Sequence, residues 1–195
     1  MTPIHPHYPD EKELPVTSNS LGIKGTDTYL QKVIDIRYDI FSGGASGASA
    51  AAGRLEEIRK IATFNNMDIV ALPVNASAEV LLVTQSLLSK DIDVFFANPD
   101  NTIFASFESI LKACDAKNVP IMTSEAGLVS RGALAAYGPD MFEWGYQSGL
   151  QAAQLLKTGS TEGIAPELVK TRNRVYNPAM AKKYNITIPE GYKPL

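Results

Sequence analysis

Apolar and polar positions alternate between two periods along most of the chain. Ile36–Phe41 is a short run of strand-forming residues, and a Gly/Ser/Ala turn, Ser42–Ser49, follows it. Ala51, Leu55, Ile58 and Ala62 then recur at helical spacing, since residues three and four apart share a helix face. Asp68–Val74 reads as a second strand, followed by a helix marked by Val80, Val83 and Leu87. Ile92–Ala97 reads as a third strand and leads into a helix whose stripe is Ile103, Phe104, Phe107, Ile110, Leu111 and Cys114. Val119–Thr123 is predicted as a fourth strand and Ala133–Tyr137 as a short fifth.

Strands alternating with helices imply right-handed crossovers and a parallel sheet. Parallel strands buried on both faces read as continuous apolar runs, as these do. The predicted fold class is therefore α/β, a doubly wound parallel sheet, with its body at Ile36–Tyr137. The last third changes character. Phe142, Tyr146, Leu150, Ala153 and Leu156 lie on one face of a helix ending near Gly159. Glu167–Tyr176 reads as extended, Pro178–Lys183 as a short helix and Ile186–Leu195 as irregular. The division expected is an extended or disordered arm at 1–21, an α/β lobe at 22–138, and a crossover helix with a C-terminal return segment at 139–195.

Composition narrows the classes. The 195 residues are 45% apolar and 20% charged, close to a globular average, and no apolar run approaches the roughly 20 residues that span a bilayer. A net charge of −3 gives no basic field for nucleic acid. Cys114 is the one cysteine. It excludes an internal disulfide and a cysteine-based zinc site, and it reads as a buried, inert thiol. The two histidines, His5 and His7, lie in the N-terminal arm. They read as solvated rather than metal-binding and leave the body without a Ser-His-Asp triad. Met1–Pro15 has no apolar stretch of the kind a signal peptide needs. No metal, cofactor or catalytic motif is expected.

In open parallel sheets, ligands bind beyond the carboxyl ends of the strands. That rule selects Ser42–Ser49, Asn75–Glu79, Asn98–Asn101 and Ser124–Leu128. The candidate ligand-binding residues there are Asn75, Ser77, Asn98, Asp100, Asn101, Ser124 and Glu125. Acids, amides and hydroxyls together suit an ammonium or polyhydroxyl ligand. The competing reading is helix capping, which the same residue types perform.

Five segments, in this order, carry a resemblance: V-N-A-S-A-E-V from Val74, D-V-F-F-A-N-P-D-N-T-I from Asp93, V-P-I-M-T-S-E from Val119, V-S-R-G-A-L-A-A-Y-G-P-D-M-F-E-W-G from Val129, and Y-N-P-A-M-A-K-K-Y-N-I-T-I-P from Tyr176. From Gly22 to Pro189 the chain resembles the substrate-binding protein of a bacterial ABC transporter, of the tryptophan/tyrosine type within the type 1 periplasmic binding proteins. The resemblance implies two α/β lobes with the ligand between them. Ile36–Tyr137 would be most of the second lobe, and the first lobe would be largely lacking. It implies binding of a small solute such as an aromatic amino acid, without chemistry, delivery to an ABC permease, and a periplasmic or extracytoplasmic location. Two other readings stand beside it: a small α/β enzyme using Asp100 and Glu125 as acid and base, and an inactive truncated remnant. If the first lobe is lacking, the apolar face of the 140–156 helix should be exposed or drive self-association.

Overall fold

The computed structural model describes residues 18–24, 59–60, 62–63, 67–74, 76–97 and 101–195. The expected strand Ile36–Phe41 and the turn Ser42–Ser49 lie outside the described residues. In chain order the elements are β1 (Ser18–Lys24), β2 (Asp68–Val74), a 3-10 turn (Ser77–Glu79), α1 (Val80–Leu88), β3 (Val94–Ala97), α2 (Asn101–Ala105) and α3 (Phe107–Ala116). Then come β4 (Ile121–Thr123), α4 (Ala126–Ser130), β5 (Ala135–Pro139), α5 (Met141–Thr158), β6 (Arg172–Tyr176), α6 (Pro178–Tyr184) and β7 (Lys193–Pro194).

Seven strands among the described residues form one sheet, ordered β2-β1-β3-β4-β5-β6-β7. β3, β4 and β5 are parallel neighbours, with Ala97 opposite Thr123 and Thr123 opposite Ala136. β1 runs antiparallel to both β2 and β3, so β2 points the same way as β3. β6 is antiparallel to β5, and β7 is parallel to β6. The fold is α/β with both sheet faces covered, as the apolar strands predict, but the sheet is mixed rather than wholly parallel. The strand at Ser18–Lys24 was not foreseen: the expected arm boundary falls inside it, because SNSLGIK offers too short an apolar signal to register as a buried strand.

Alternation along the strands assigns the two faces. Phe95, Ala97, Ile121 and Ala136 pack with Val80, Leu87, Phe107, Ile110 and Cys114 on one face. Val94, Phe96, Met122, Ala135 and Tyr137 pack with Ala62, Met67 and Ala181 on the other. The stripe predicted for one helix instead runs through two. The chain turns at Ser106, whose N–H donates to the Ile103 carbonyl at 3.2 Å, yet Ile103, Phe107, Ile110 and Cys114 stay on the buried side. α6 begins as its sequence requires, with Pro178 in the first turn and the Asn177 side chain accepting from the N–H groups of Ala179 and Met180. The Asp115 carboxylate ties α3 to α6, accepting from Lys183 Nζ at 2.7 Å and the Tyr184 hydroxyl at 2.8 Å.

α5 behaves differently from every other helix. It is capped at both ends, by the Asp140 carboxylate on the Glu143 N–H and by Gly159 at φ 66°, a left-handed conformation that glycine adopts without a Cβ clash. It nevertheless buries no residue. Its partner is the segment that returns to the sheet: the Gln147 amide donates to Glu167 Oε2 and the Leu168 carbonyl, and Gln151 to the Ala165 carbonyl. The face carrying Phe142, Tyr146 and Leu150 stands 78%, 61% and 57% exposed.

A matched pair of truncations separates these two kinds of apolar position. Phe107→Ala should lower the unfolding free energy by about 3–5 kcal/mol, because it empties a fully buried site. Phe142→Ala should change it by no more than about 0.5 kcal/mol. Denaturant titration of both variants reads the difference. A loss at Phe142 as large as at Phe107 would mean that this face is covered in solution.

Candidate functional site

β2, β3, β4 and β5 point one way, so their carboxyl ends leave the sheet along a single edge. Ser77 follows β2, Asn101 follows β3, and Ser124 and Glu125 follow β4. Three expected site residues, Asn75, Asn98 and Asp100, lie outside the described residues. The structure therefore brings Asn101, Ser124 and Glu125 to neighbouring strand ends. Ser77 sits across β1 from β3, but its turn touches α2, the helix that opens with Asn101.

These residues differ in what holds them. Ser77 is exposed and opens its turn just after Ala76, the cap position, which contributes no side-chain hydrogen bond. Asn101 is exposed as the first residue of α2. Ser124 is buried, 5% exposed. Glu125 is half-buried and is the cap of α4: its Oε1 accepts from the Gly127 N–H at 3.1 Å, while its own N–H donates to Thr123 Oγ1 at 3.2 Å. The capping reading thus holds at Glu125, and Thr123 emerges as a buried support that its strand pattern did not single out.

The backbone beyond β4 is pinned by close packing. A Cβ built on Gly138 of β5 would stand 1.9 Å from the Ser124 carbonyl oxygen, so only glycine lets β5 pass this close to the rim. The next strand continues the edge: Asn173 of β6 pairs with Gly138, and its side-chain amide donates to Asp140 Oδ2 at 3.0 Å. The Glu143 N–H, with this amide, holds the Asp140 carboxyl below the usual carboxylate range. No periodicity argument could have found Gly138 or Asn173, because their roles rest on cross-strand register.

Cys114 is fully buried on α3, away from the rim, and burial, with the neighbouring Asp115 charge, pushes its thiol from 9.0 up to about 12. Among the described residues, no group of three or more His, Cys, Asp and Glu residues converges as a metal site, and no helix is long and apolar enough to cross a membrane.

Residues 34–192 match the sequence profile of the family described as ABC transporter substrate binding protein. The chain belongs to that family. Substrate-binding proteins of ABC transporters are a non-enzymatic class that takes a small-molecule ligand and serves a transporter, and those of importers are extracytoplasmic or membrane-associated. A tyrosine-binding protein of Clostridioides difficile (strain R20291) is 34% identical over 113 residues, covering 58% of this chain and 32% of the relative. Among solved structures, a conserved domain protein from Vibrio cholerae superposes with TM-score 0.65 at 29% identity, covering 74% of this chain and 48% of that one. The ABC domain from Streptococcus pneumonia in complex with L-Trp gives TM-score 0.67 at 24% identity, covering 77% and 52%. The chain thus spans about half the length of those solved chains and about a third of the curated relative.

Two measurements probe the rim and the thiol. Gly138→Ala should cost on the order of 1–3 kcal/mol or more, the range for forcing atoms into a packed interior. Gly145→Ala, with nothing within 4 Å of the added Cβ on α5, should instead stabilise by about 0.5–1 kcal/mol. Equal effects in chemical denaturation would contradict the close approach at Ser124. For Cys114, a raised folded-state value means that the neutral thiol stabilises the fold below pH 9.0 and that this contribution is lost between 9.0 and about 12, since the unfolded chain gives up its proton first. Wild type should lose stability over that window faster than Cys114→Ala; parallel curves would show that burial does not shift the thiol.

Proposed function

We propose that the chain binds a free amino acid of the aromatic type at the strand-end rim, without chemical change, for an ABC import system. The observation that carries this reading is the family match across residues 34–192. The substrate class is supported by the tyrosine-binding relative at 34% identity, and the rim supplies complementary chemistry. Glu125 offers a carboxylate for an ammonium group through a charge-assisted hydrogen bond, and Ser77 and Asn101 offer polar groups beside it. On this reading Asn75, Asn98 and Asp100 belong to the same rim, the partner is the importer's permease, and the protein works outside the cytoplasm.

Titration calorimetry with tyrosine, tryptophan, phenylalanine, leucine and glutamate tests it. An aromatic amino acid should bind and be recovered unchanged, and at 100 times its Kd it should stabilise the fold by about 2.7 kcal/mol. Glu125→Gln keeps an oxygen for the Gly127 N–H but removes the charge. It should weaken binding by about tenfold or more, the worth of a hydrogen bond to a charged group, with little change in melting temperature. Unchanged affinity in that variant would reduce Glu125 to a helix cap. Turnover of a bound compound, abolished by Asp100→Asn, would overturn the reading in favour of catalysis.

A further inference from the structure

We propose that the apolar face of α5 is the contact of a two-fold dimer, in which α5 of a second copy of this chain lies antiparallel across it. Phe142, Tyr146, Gly149, Ala153 and Leu156 recur at alternating intervals of four and three, the spacing of a seam between two helices, and Leu150 borders them. Phe142 and Leu156 are 78% and 85% exposed, and Tyr146 and Leu150 are each more than half exposed. The helix is held to its own fold from the other side, where Gln147 and Gln151 bond the return segment. An aromatic side chain presents about 150–250 Å² when uncovered, so these four large side chains present on the order of 500 Å² at their exposures. Two copies face to face would remove about 1,000 Å², the threshold of a specific interface, which makes the association weak and reversible.

Charge selects a second copy as the occupant. The charged residues of α5 are Glu143 in its first turn and Lys157 in its last. Each follows a seam residue, Phe142 or Leu156, by one position, so both flank the seam on the same side as Leu150. Neither side chain has an ion-pair partner among the described residues. An antiparallel second copy sets Glu143 beside Lys157 of the other chain at both ends of the contact, and flanking pairs of this kind fix the orientation of paired helices. A parallel copy would set Glu143 against Glu143. The same surface thus complements itself under a two-fold axis, and the assembly closes at two. Gly149 fits this arrangement. A Cβ there would meet nothing within 4 Å, so the chain's own packing does not call for glycine, which weakens a helix interior relative to alanine. Antiparallel pairing brings Gly149 beside Ala153 of the second copy near the axis, where small side chains let the two backbones approach. The proposal does not rest on solute binding at the rim.

Sedimentation equilibrium of the whole chain, from about 1 μM to about 1 mM to cover weak association, tests it. A reversible monomer–dimer equilibrium is expected. Phe142→Ala should weaken it by about tenfold, the effect of truncating an interface aromatic. Below the dissociation constant the same variant should unfold like wild type, because the side chain is exposed in the monomer. Glu143→Lys and Lys157→Glu should each weaken the dimer by about three- to tenfold, the worth of two exposed ion pairs turned repulsive, and the double exchange should restore it. That rescue distinguishes antiparallel pairing from any other use of the face. A monomer across the whole range, association that continues beyond two copies, a dimer indifferent to Phe142→Ala, or charge variants without mutual rescue would each overturn the proposal. Of these, a monomer in which Phe142→Ala is as costly as Phe107→Ala would mean that another part of the chain covers the face, and a monomer that floats with phosphatidylcholine vesicles would mean that a lipid surface does.

Discussion

The parallel ladder that sets Ala97 opposite Thr123, and Thr123 opposite Ala136, is the constraint from which the rest follows. A parallel pair cannot be closed by a tight turn; it needs a crossover. Each crossover here begins at the same edge of the sheet, so polar residues that follow a strand are delivered to one rim whatever their separation in sequence. The strands themselves are free to be wholly apolar because helices cover them on both faces. The division of labour in the sequence, apolar in the strands and polar just after them, is a consequence of that one hydrogen-bonding geometry.

The ladder also explains why Gly138 and Ser124 meet. β4 is short, three residues, and β5 runs on past its end to Pro139. The chain leaving β4 must therefore cross the backbone of β5 at close range. Glycine at 138 admits the Ser124 carbonyl, and the Thr123 hydroxyl and the Gly127 N–H fix Glu125 just beyond it. The rim is held by packing and by local hydrogen bonds, which restricts the positions its side chains can take before any ligand arrives.

Much of this was legible in the sequence, and what was missed has identifiable causes. β2, β3, β4, β5, α5 and α6 follow from apolar runs, from helical stripes and from punctuation at Gly159 and Pro178. The antiparallel sense of β6 was not legible, because direction depends on where the chain re-enters the sheet after α5 and the return segment, a tertiary event with no local pattern. β1 was missed because a strand's apolar content is judged against its surroundings, and Ser18–Lys24 follows a polar arm. The break at Ser106 was invisible for another reason: a 3-10 turn between two helices preserves the buried stripe, so periodicity alone cannot report it. The strand-end rule singled out Ser77, Asn101, Ser124 and Glu125, which follow β2, β3 and β4, but could not say that Ser124 would be buried or that Glu125 would cap α4.

Capping and ligand binding at Glu125 are often treated as alternatives, but the chemistry of a carboxylate makes them compatible. An ionised carboxylate accepts along about four lone-pair directions on two oxygens, and the Gly127 N–H takes one of them, on Oε1. The cap fixes the side chain's rotamer and hence the direction of the remaining acceptors. A long, flexible acid would lose rotamer freedom on binding a cationic group, up to about 2 kcal/mol for the most mobile side chains; one already restrained by its own helix loses less. On the proposed function, the contact that caps α4 also prepares a charged group to meet a ligand, so a structural role at Glu125 does not remove a functional one.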